Sequence, residues 1–122
     1  MKLRIKGNSL RYRLTKSEVS QLSNTGYLEE QTVFADNMFV YALQKVNEGS
    51  ELSASFDQNK ITMYVPASLA NEWPDNDVVG FHANMNTATS TDLYLLLEKD
   101  FVCLDETTED QSDNYANPNQ TC

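Results

Sequence analysis

The stretch KLRIKGNSLRYRL, residues 2–14, carries the pattern from which the fold can be inferred. Apolar and basic side chains alternate on both sides of Gly7-Asn8. Alternation with a period of two is typical of a strand that buries one face, and a Gly-Asn pair between two such runs is a turn signal. The stretch therefore predicts a β-hairpin with one apolar face and one basic face.

A short helix and a second pair of strands are predicted after this hairpin. Thr15 and Glu18 have the spacing of a capping box, which marks the N-terminus of a helix. Alternating apolar residues then predict strands over residues 27–34 and 38–44. The Asn-Glu-Gly-Ser stretch at residues 47–50 is typical of a linker.

The same order of elements is predicted again after the linker. Two alternating strands lead to Pro66, at the point where the first half has its helix cap, and proline is tolerated at a helix start. Two last strands are predicted over residues 77–86 and 92–100. Aromatic residues follow the core-facing positions in both halves, and Phe34 and Phe56 are expected in the core with the others.

Two offsets relate the halves. Asn8 and Asn59 are 51 residues apart, whereas Tyr41 and Leu95 are 54 apart because the last hairpin loop is longer. We interpret this pattern as a duplication, with two tandem ββαββ repeats intertwined in one barrel or sandwich of the α+β, mostly β class. A chance match of alternating strands is the alternative.

One domain is expected, because 122 residues is the usual length of a single folded unit. We predict that it covers residues 1–104 and consists of repeats at 1–46 and 51–100. Residues 105–122 are rich in acidic and amide side chains and are predicted to form an acidic, weakly ordered tail.

The turn and the strand end after it resemble the start of AbrB/MazE-type swapped-hairpin proteins. Residues 7–15 match the Gly-Asn-Ser turn and the apolar–Arg–apolar strand end of that family, and residues 61–69 match the strand end with its proline. The resemblance implies ββαββ units that exchange hairpins to close a barrel. One chain would then carry both halves of what is usually a dimer, as a pseudo-dimer.

A second resemblance covers nearly the whole chain. The opening KLRIKGNSLR and the later EKDFVCL, residues 98–104, are similar to a family of small bacterial proteins of unknown function. This resemblance implies that the acidic C-terminal segment is a regular part of the protein. It implies no activity.

Charge is distributed very unevenly along the chain. The formal net charge is −9, from 18 acidic and nine basic residues, which excludes a protein that coats nucleic acid with its whole surface. Residues 1–16 nevertheless contain six of the nine bases and no acid. In the predicted hairpin, five of these bases lie together on one surface: Lys2, Arg4, Lys6, Arg11 and Arg13.

The swapped-hairpin resemblance implies that this hairpin and its turn contact DNA. It places five residues at the site: Arg4, Lys6, Asn8, Arg11 and Arg13. The second repeat departs from the family pattern, since Lys60 is the only base of its hairpin, and a two-fold DNA reader needs two basic half-sites. In the plain structural alternative, the basic strands pair with acids elsewhere, such as Glu29, Glu30 and the tail, or the tail masks the hairpin.

The C-terminal part of the chain suggests a different class of function. His82, Cys103 and Cys122 are the candidate soft ligands of a metal ion, with neighbouring carboxylates as hard ligands. Their spacing fixes no geometry, and an ordinary acidic tail with two thiols is the alternative. Apart from this ion, no cofactor is expected.

No catalytic constellation can be argued from the sequence. There is a single histidine and no phosphate-cradling glycine loop, and no apolar run approaches the ~20 residues that span a bilayer. We therefore expect a non-enzymatic binding module of the cytoplasm, without membrane contact. It would bind nucleic acid or a partner protein through the basic hairpin, as a monomer or homodimer, and metal or ligand binding by the tail is the alternative.

Overall fold

The computed structural model describes residues 1–101 and 112–116. This part of the chain contains eight strands and two short helices, with one helix after the second strand and one after the sixth. The strands are β1 (Lys2–Lys6), β2 (Ser9–Leu14), β3 (Tyr27–Val33), β4 (Met38–Val46), β5 (Ser53–Asp57), β6 (Lys60–Pro66), β7 (Gly80–Met85) and β8 (Leu93–Lys99). The helices are α1 (Lys16–Thr25) and α2 (Ala67–Ala70), and a 3-10 turn follows at Trp73–Asp75.

The strands form two sheets of four. The first sheet has the order β1-β2-β8-β7 and the second has the order β3-β4-β6-β5. The outer pairs are antiparallel hairpins, whereas the central pairs, β2 with β8 and β4 with β6, are parallel. Each sheet therefore joins a hairpin from the first half of the chain to a hairpin from the second half.

This architecture confirms the predicted α+β, mostly β class and corrects one of its alternatives. The described strands do not close into a barrel, because β1 and β7 remain the edges of one sheet and β3 and β5 the edges of the other. Closing a barrel requires the two edge strands of a sheet to pair with each other. Both predicted last strands begin later and end earlier than expected, at Gly80–Met85 and Leu93–Lys99.

The tight turns of the β1–β2 and β5–β6 hairpins are each held by a strand of the other hairpin in the same sheet, β8 and β4 respectively. Gly7 has a φ of +55°, and in the other hairpin Gln58 and Asn59 have φ values of +50° and +62°, the two left-handed positions of a type I′ turn. The Asn8 carbonyl accepts a hydrogen bond from the Tyr94 N–H at 3.1 Å. The Asn59 carbonyl accepts one from the Val40 N–H at 3.0 Å.

Helix α1 begins and ends as its sequence predicts. The Glu18 carboxylate accepts a hydrogen bond from the Thr15 N–H at 2.9 Å, which satisfies a backbone donor at the helix start. Gly26, with a φ of +81°, ends the helix, and its N–H donates to the Leu22 carbonyl at 3.0 Å. Val19 and Leu22 are fully buried, so this short helix is anchored by one apolar stripe.

The core lies between the inward faces of both sheets and the helical segments. Its largest fully buried side chains are Trp73, Tyr12, Leu14, Leu22, Leu43, Met63, Leu95 and Leu97. Trp73 packs on Phe81 at 5.1 Å between ring centroids, and its indole N–H donates to the Val78 carbonyl at 2.7 Å. Two expected core aromatics are exposed instead: Phe34 follows β3 in the hairpin turn, and Phe56 lies near the end of edge strand β5.

The C-terminal segment at residues 112–116 packs against the domain. The Tyr115 N–H donates to the Asp100 carbonyl at 2.8 Å, and the Tyr115 ring lies 5.7 Å from the Phe101 ring. The Ser17 hydroxyl donates to the Asp113 carboxylate at 2.5 Å, at the start of α1. The other residues of the predicted tail lie outside the described part of the chain.

The helices of the described part are short. The longest is α1, with ten residues. None of the helices within residues 1–101 and 112–116 is long and apolar enough to cross a membrane.

Candidate nucleic-acid interface

The first hairpin brings its basic side chains onto one surface. In the β1–β2 register, Lys2 lies opposite Arg13 and Arg4 lies opposite Arg11. Alternate residues of β2 are buried in the core, so its two arginines lie on the outward face of the first sheet. This outward surface, here called the basic face, consists of Lys2, Arg4, Lys6, Arg11 and Arg13.

Like charges that lie directly opposite on neighbouring strands repel each other, so the basic face needs anionic partners. The carboxylate of Glu98, on β8, accepts a hydrogen bond from the Arg11 Nε–H and lies 3.5 Å from Arg13 Nε. The Lys2 ammonium lies 3.1 Å from the Asp100 carboxylate. Among the residues that the structure describes, these two acids face five bases, so bases outnumber acids on this surface.

The acids that neutralise this surface differ from two that the sequence suggested. Glu29 lies 3.4 Å from Lys60 in the second sheet, and Glu30 lies 2.7 Å from the amino group of Met1. Neither pairs with the basic face. Glu98 pairs instead, because the parallel contact of β2 with β8 places it beside Arg13.

Arg4 and Lys6 are the members of the basic face that have no ion pair within residues 1–101 and 112–116. Both are exposed, and neither side chain has an ion pair or hydrogen bond with the residues that the structure describes. They line a groove of about 260 Å³ together with Ser9, Leu10 and Arg11, and the opposite side of this groove consists of Tyr94 and Leu96. A second depression of about 280 Å³ lies beside it and shares Arg4 and Arg11.

Asn8, the fifth residue predicted at the site, has a different contact. Its side-chain amide donates a hydrogen bond to the Asp92 carbonyl at 2.7 Å. Together with the bond from the Tyr94 N–H to its own carbonyl, this contact fixes the hairpin turn to the start of β8. Asn8 thus holds the basic hairpin against the other half of the sheet.

Sequence reasoning did not identify an aromatic pair on the same surface. His82 on β7 and Tyr94 on β8 stack, with ring centroids 6.4 Å apart and planes 26° apart. Tyr94 is 38% exposed. The alternation of β8 indicated that Tyr94 faces outward, because Leu95 and Leu97 take the inward face. The local sequence could not show which strands lie next to β8, so it could not place Tyr94 beside the basic face.

The predicted metal ligands are placed only in part. His82 lies on the outward face of β7, stacked on Tyr94, whereas Cys103 and Cys122 lie outside the described residues. Within residues 1–101 and 112–116, no three histidine, cysteine or acidic side chains lie close enough to hold a metal ion.

The outward face of the second sheet has a different chemistry. On β5 and β6 it carries mostly hydroxyl groups, from Ser53, Ser55, Thr62 and Tyr64. Its base, Lys60, donates a hydrogen bond to the Tyr27 hydroxyl at 2.5 Å, which raises the pKa of the Lys60 ammonium above its ordinary value. The Tyr27 hydroxyl donates in turn to Glu29 at 2.8 Å, which lowers the pKa of that carboxyl.

The fold and this site are those of a small two-sheet α+β protein with one basic sheet face. The chain belongs to the family of unknown function DUF7009, whose profile matches residues 1–119. No curated protein and no solved structure matches the chain. The expected membership of a family of unknown function is therefore confirmed, and the resemblance to AbrB/MazE-type proteins stays a prediction.

Proposed function

We propose that this protein is a non-catalytic module that binds nucleic acid through the basic face. The observation that carries the proposal is the register of β1 and β2, which places Arg4 opposite Arg11 and Lys2 opposite Arg13. Four cations in two directly opposed pairs repel each other, and a polyanion relieves that repulsion.

The pairing of the individual cations supports a phosphate ligand. Arg4 and Lys6 have no partner among the described residues, so binding a phosphate through them breaks no ion pair in that part of the chain. Arg11 and Arg13 share one carboxylate, that of Glu98, and two guanidinium groups have more donors than one carboxylate can satisfy.

The proposal includes the duplication inferred from the sequence, with two tandem ββαββ repeats forming a pseudo-dimer. Two equivalent contacts support it. The Asn8 carbonyl binds the Tyr94 N–H, and the Asn59 carbonyl, 51 residues later, binds the Val40 N–H. Each sheet also pairs one hairpin from each half, as exchanged hairpins would.

The two proposed repeats differ in charge, and this difference affects the binding mode. The first repeat carries the basic face, whereas the equivalent surface of the second repeat carries hydroxyl groups and a paired lysine. One chain then offers one basic surface. It does not offer the two matched half-sites with which a symmetric protein reads a palindrome.

The test compares two single charge deletions. We expect Arg4→Gln to weaken binding to a fluorescein-labelled oligonucleotide several-fold at low salt. It should also reduce the slope of log Kd against log salt by about 0.7–0.9, the value of one phosphate contact. Lys60→Gln is the matched control, because it removes one positive charge from the outward face of the other sheet.

Fluorescence anisotropy across a salt series measures both quantities. Equal effects of the two variants would mean that only net charge matters and that the basic face is not the site. A wild-type protein that binds no oligonucleotide at low salt would overturn the proposal altogether.

A further inference from the structure

We infer that the nucleic acid bound by the basic face is single-stranded, with a base stacked on Tyr94 and the backbone phosphates on Arg4, Lys6 and Arg11. This inference rests on the proposed function and adds the class of ligand and a specificity-determining residue. It depends on the aromatic pair of β7 and β8, which that function does not require.

The groove beside the basic face has two chemically different sides. Arg4, Lys6 and Arg11 make one side cationic, while Tyr94 and Leu96 make the other aromatic and aliphatic. Neighbouring strands lie ~4.8 Å apart. The backbone of β2, which carries Arg11, is therefore one spacing from β8, and the backbone of β1, which carries Arg4 and Lys6, is two spacings away. A nucleotide of a single strand matches this pair, because it presents an anionic phosphate and a flat base a few ångströms apart.

Tyr94 has the exposure and freedom that a stacking platform needs. It is 38% exposed on a sheet face where most other large side chains are charged. Its hydroxyl and the His82 ring make no hydrogen bond to any residue that the structure describes, and the two rings support each other by stacking. Aromatic rings on a strand next to a positive groove are the common parts of sequence-tolerant single-strand binding.

A duplex fits this surface poorly for two reasons. Its bases are paired and stacked inside the helix, so no base face is available to Tyr94. The sheet is also too wide for the major groove: three spacings of ~4.8 Å give ~14 Å, whereas the groove is ~12 Å wide and admits at most a two-stranded ribbon. An acidic protein would satisfy the cations but would have no flat base for the aromatic side of the groove.

The experiment uses the full chain with Tyr94→Leu and Tyr94→Phe. Leucine keeps an apolar side chain without the ring, while phenylalanine keeps the ring without the hydroxyl. We expect Tyr94→Leu to weaken binding of labelled oligothymidylate by about 5-fold to 150-fold, the equivalent of ~1–3 kcal/mol for one stacked base. Because no charge changes, the slope of log Kd against log salt should stay as in the wild type.

The controls separate this inference from the function on which it rests. Tyr94→Phe should bind oligothymidylate within about twofold of the wild type, and a duplex of equal length should bind more weakly than the single strand. His82→Leu, a second variant on the same pair, should weaken single-strand binding in the same direction. Thermal unfolding of each variant, followed by circular dichroism, verifies that this surface substitution leaves the fold intact.

Three results would overturn the inference. Unchanged oligothymidylate affinity in Tyr94→Leu, with a loss in Arg4→Gln, would refute base stacking and leave the proposed function standing. Equal affinity of the wild type for single strand and duplex would do the same. Competition by poly-L-glutamate as effective as that by oligothymidylate would refute nucleic acid as the ligand and would overturn both proposals.

Discussion

Tyr12 is a phenol in the centre of the core. It is fully buried, its ring packs against Tyr41 in an edge-on arrangement, and its hydroxyl lies 3.4 Å from the Ile61 carbonyl. Burial raises the pKa of this phenol well above its ordinary value of 10.0, because the phenolate would lose its hydration. The protonated form is therefore part of the folded state.

The raised pKa of Tyr12 predicts a loss of stability at alkaline pH. The unfolded chain releases this proton above about pH 10, whereas the folded chain retains it. The contribution of the neutral Tyr12 phenol to the free energy of unfolding is thus fully present below pH 10, and it is lost as the pH rises toward the pKa of the folded state. Urea unfolding at about pH 9 and about pH 11 measures this loss.

We expect Tyr12→Phe to have a smaller loss of stability between these two pH values than the wild type. At neutral pH the substitution should cost about 1 kcal/mol or less, since it removes one long hydrogen bond. Tyr41→Phe is the comparison. Because Tyr41 is only half-buried, this substitution should reduce the pH dependence of stability less than Tyr12→Phe does. Parallel wild-type and Tyr12→Phe pH profiles would contradict the assignment.

Single side chains of the site were predictable where alternation alone decides the outward face. Arg4, Arg11 and Arg13 follow the period of their own strands, so the sequence placed them together. Glu98 and Tyr94 were not identified as their neighbours, because the contact runs through a parallel pairing between residues about 85 positions apart in the chain. No local pattern specifies which distant strand pairs with β2.

The β7–β8 hairpin depends on a residue without a side chain. Gly80 lies opposite Glu98, and a Cβ at position 80 would lie 2.4 Å from the Leu97 carbonyl oxygen and 3.0 Å from the Glu98 Cα. Both are backbone atoms of the neighbouring strand, which cannot move without disturbing the pairing. The same Cβ would lie 3.1 Å from the Glu98 Cγ, the atom next to the carboxylate that Arg11 and Arg13 share.

We expect Gly80→Ala to destabilise the protein by ~1–3 kcal/mol, the usual cost of forcing an extra methyl group into a packed contact. Asn84→Ala, on the exposed face of the same strand, is the matched control and should stay within about 0.5 kcal/mol of the wild type. Urea unfolding measures both. Equal stability of Gly80→Ala and the wild type would show that the two strands can separate at no cost.

Secondary-structure elements were predicted best where the local sequence contains residues that mark the start and end of an element. The capping box at Thr15 and Glu18 and the glycine at 26 fixed helix α1. The helix of the second half is only four residues long, and no side-chain cap marks its start after Pro66. Phe56 was placed in the core from its alternation, but it lies toward the end of an edge strand, where neighbours cover only one side.

At the scale of the whole molecule, neither half of the chain can complete a sheet alone. The first sheet takes β1 and β2 from the first half and β7 and β8 from the second, and the second sheet is divided likewise. We expect fragments 1–50 and 51–122, expressed separately, to lack a cooperative unfolding transition as monomers. Two-stranded hairpins are marginal without further strands.

An equimolar mixture of the two fragments should regain one cooperative transition and elute as a 1:1 complex. Circular dichroism during urea unfolding and size-exclusion chromatography measure these outcomes, with the intact chain as reference. A monomeric fragment 1–50 that unfolds cooperatively by itself would show that the halves are independent domains.

The parallel pairing of β2 with β8 also dictates an order of events during synthesis on the ribosome. All strands of the second sheet are complete once residue 66 has emerged, but β2 is paired only with β1 until β8, ending at Lys99, has been translated. The N-terminal hairpin must therefore wait with one apolar face uncovered, and such nascent strands invite aggregation and chaperone capture. Charged residues that alternate along a strand limit its aggregation, so we expect the charges of the basic face to protect the hairpin during that delay.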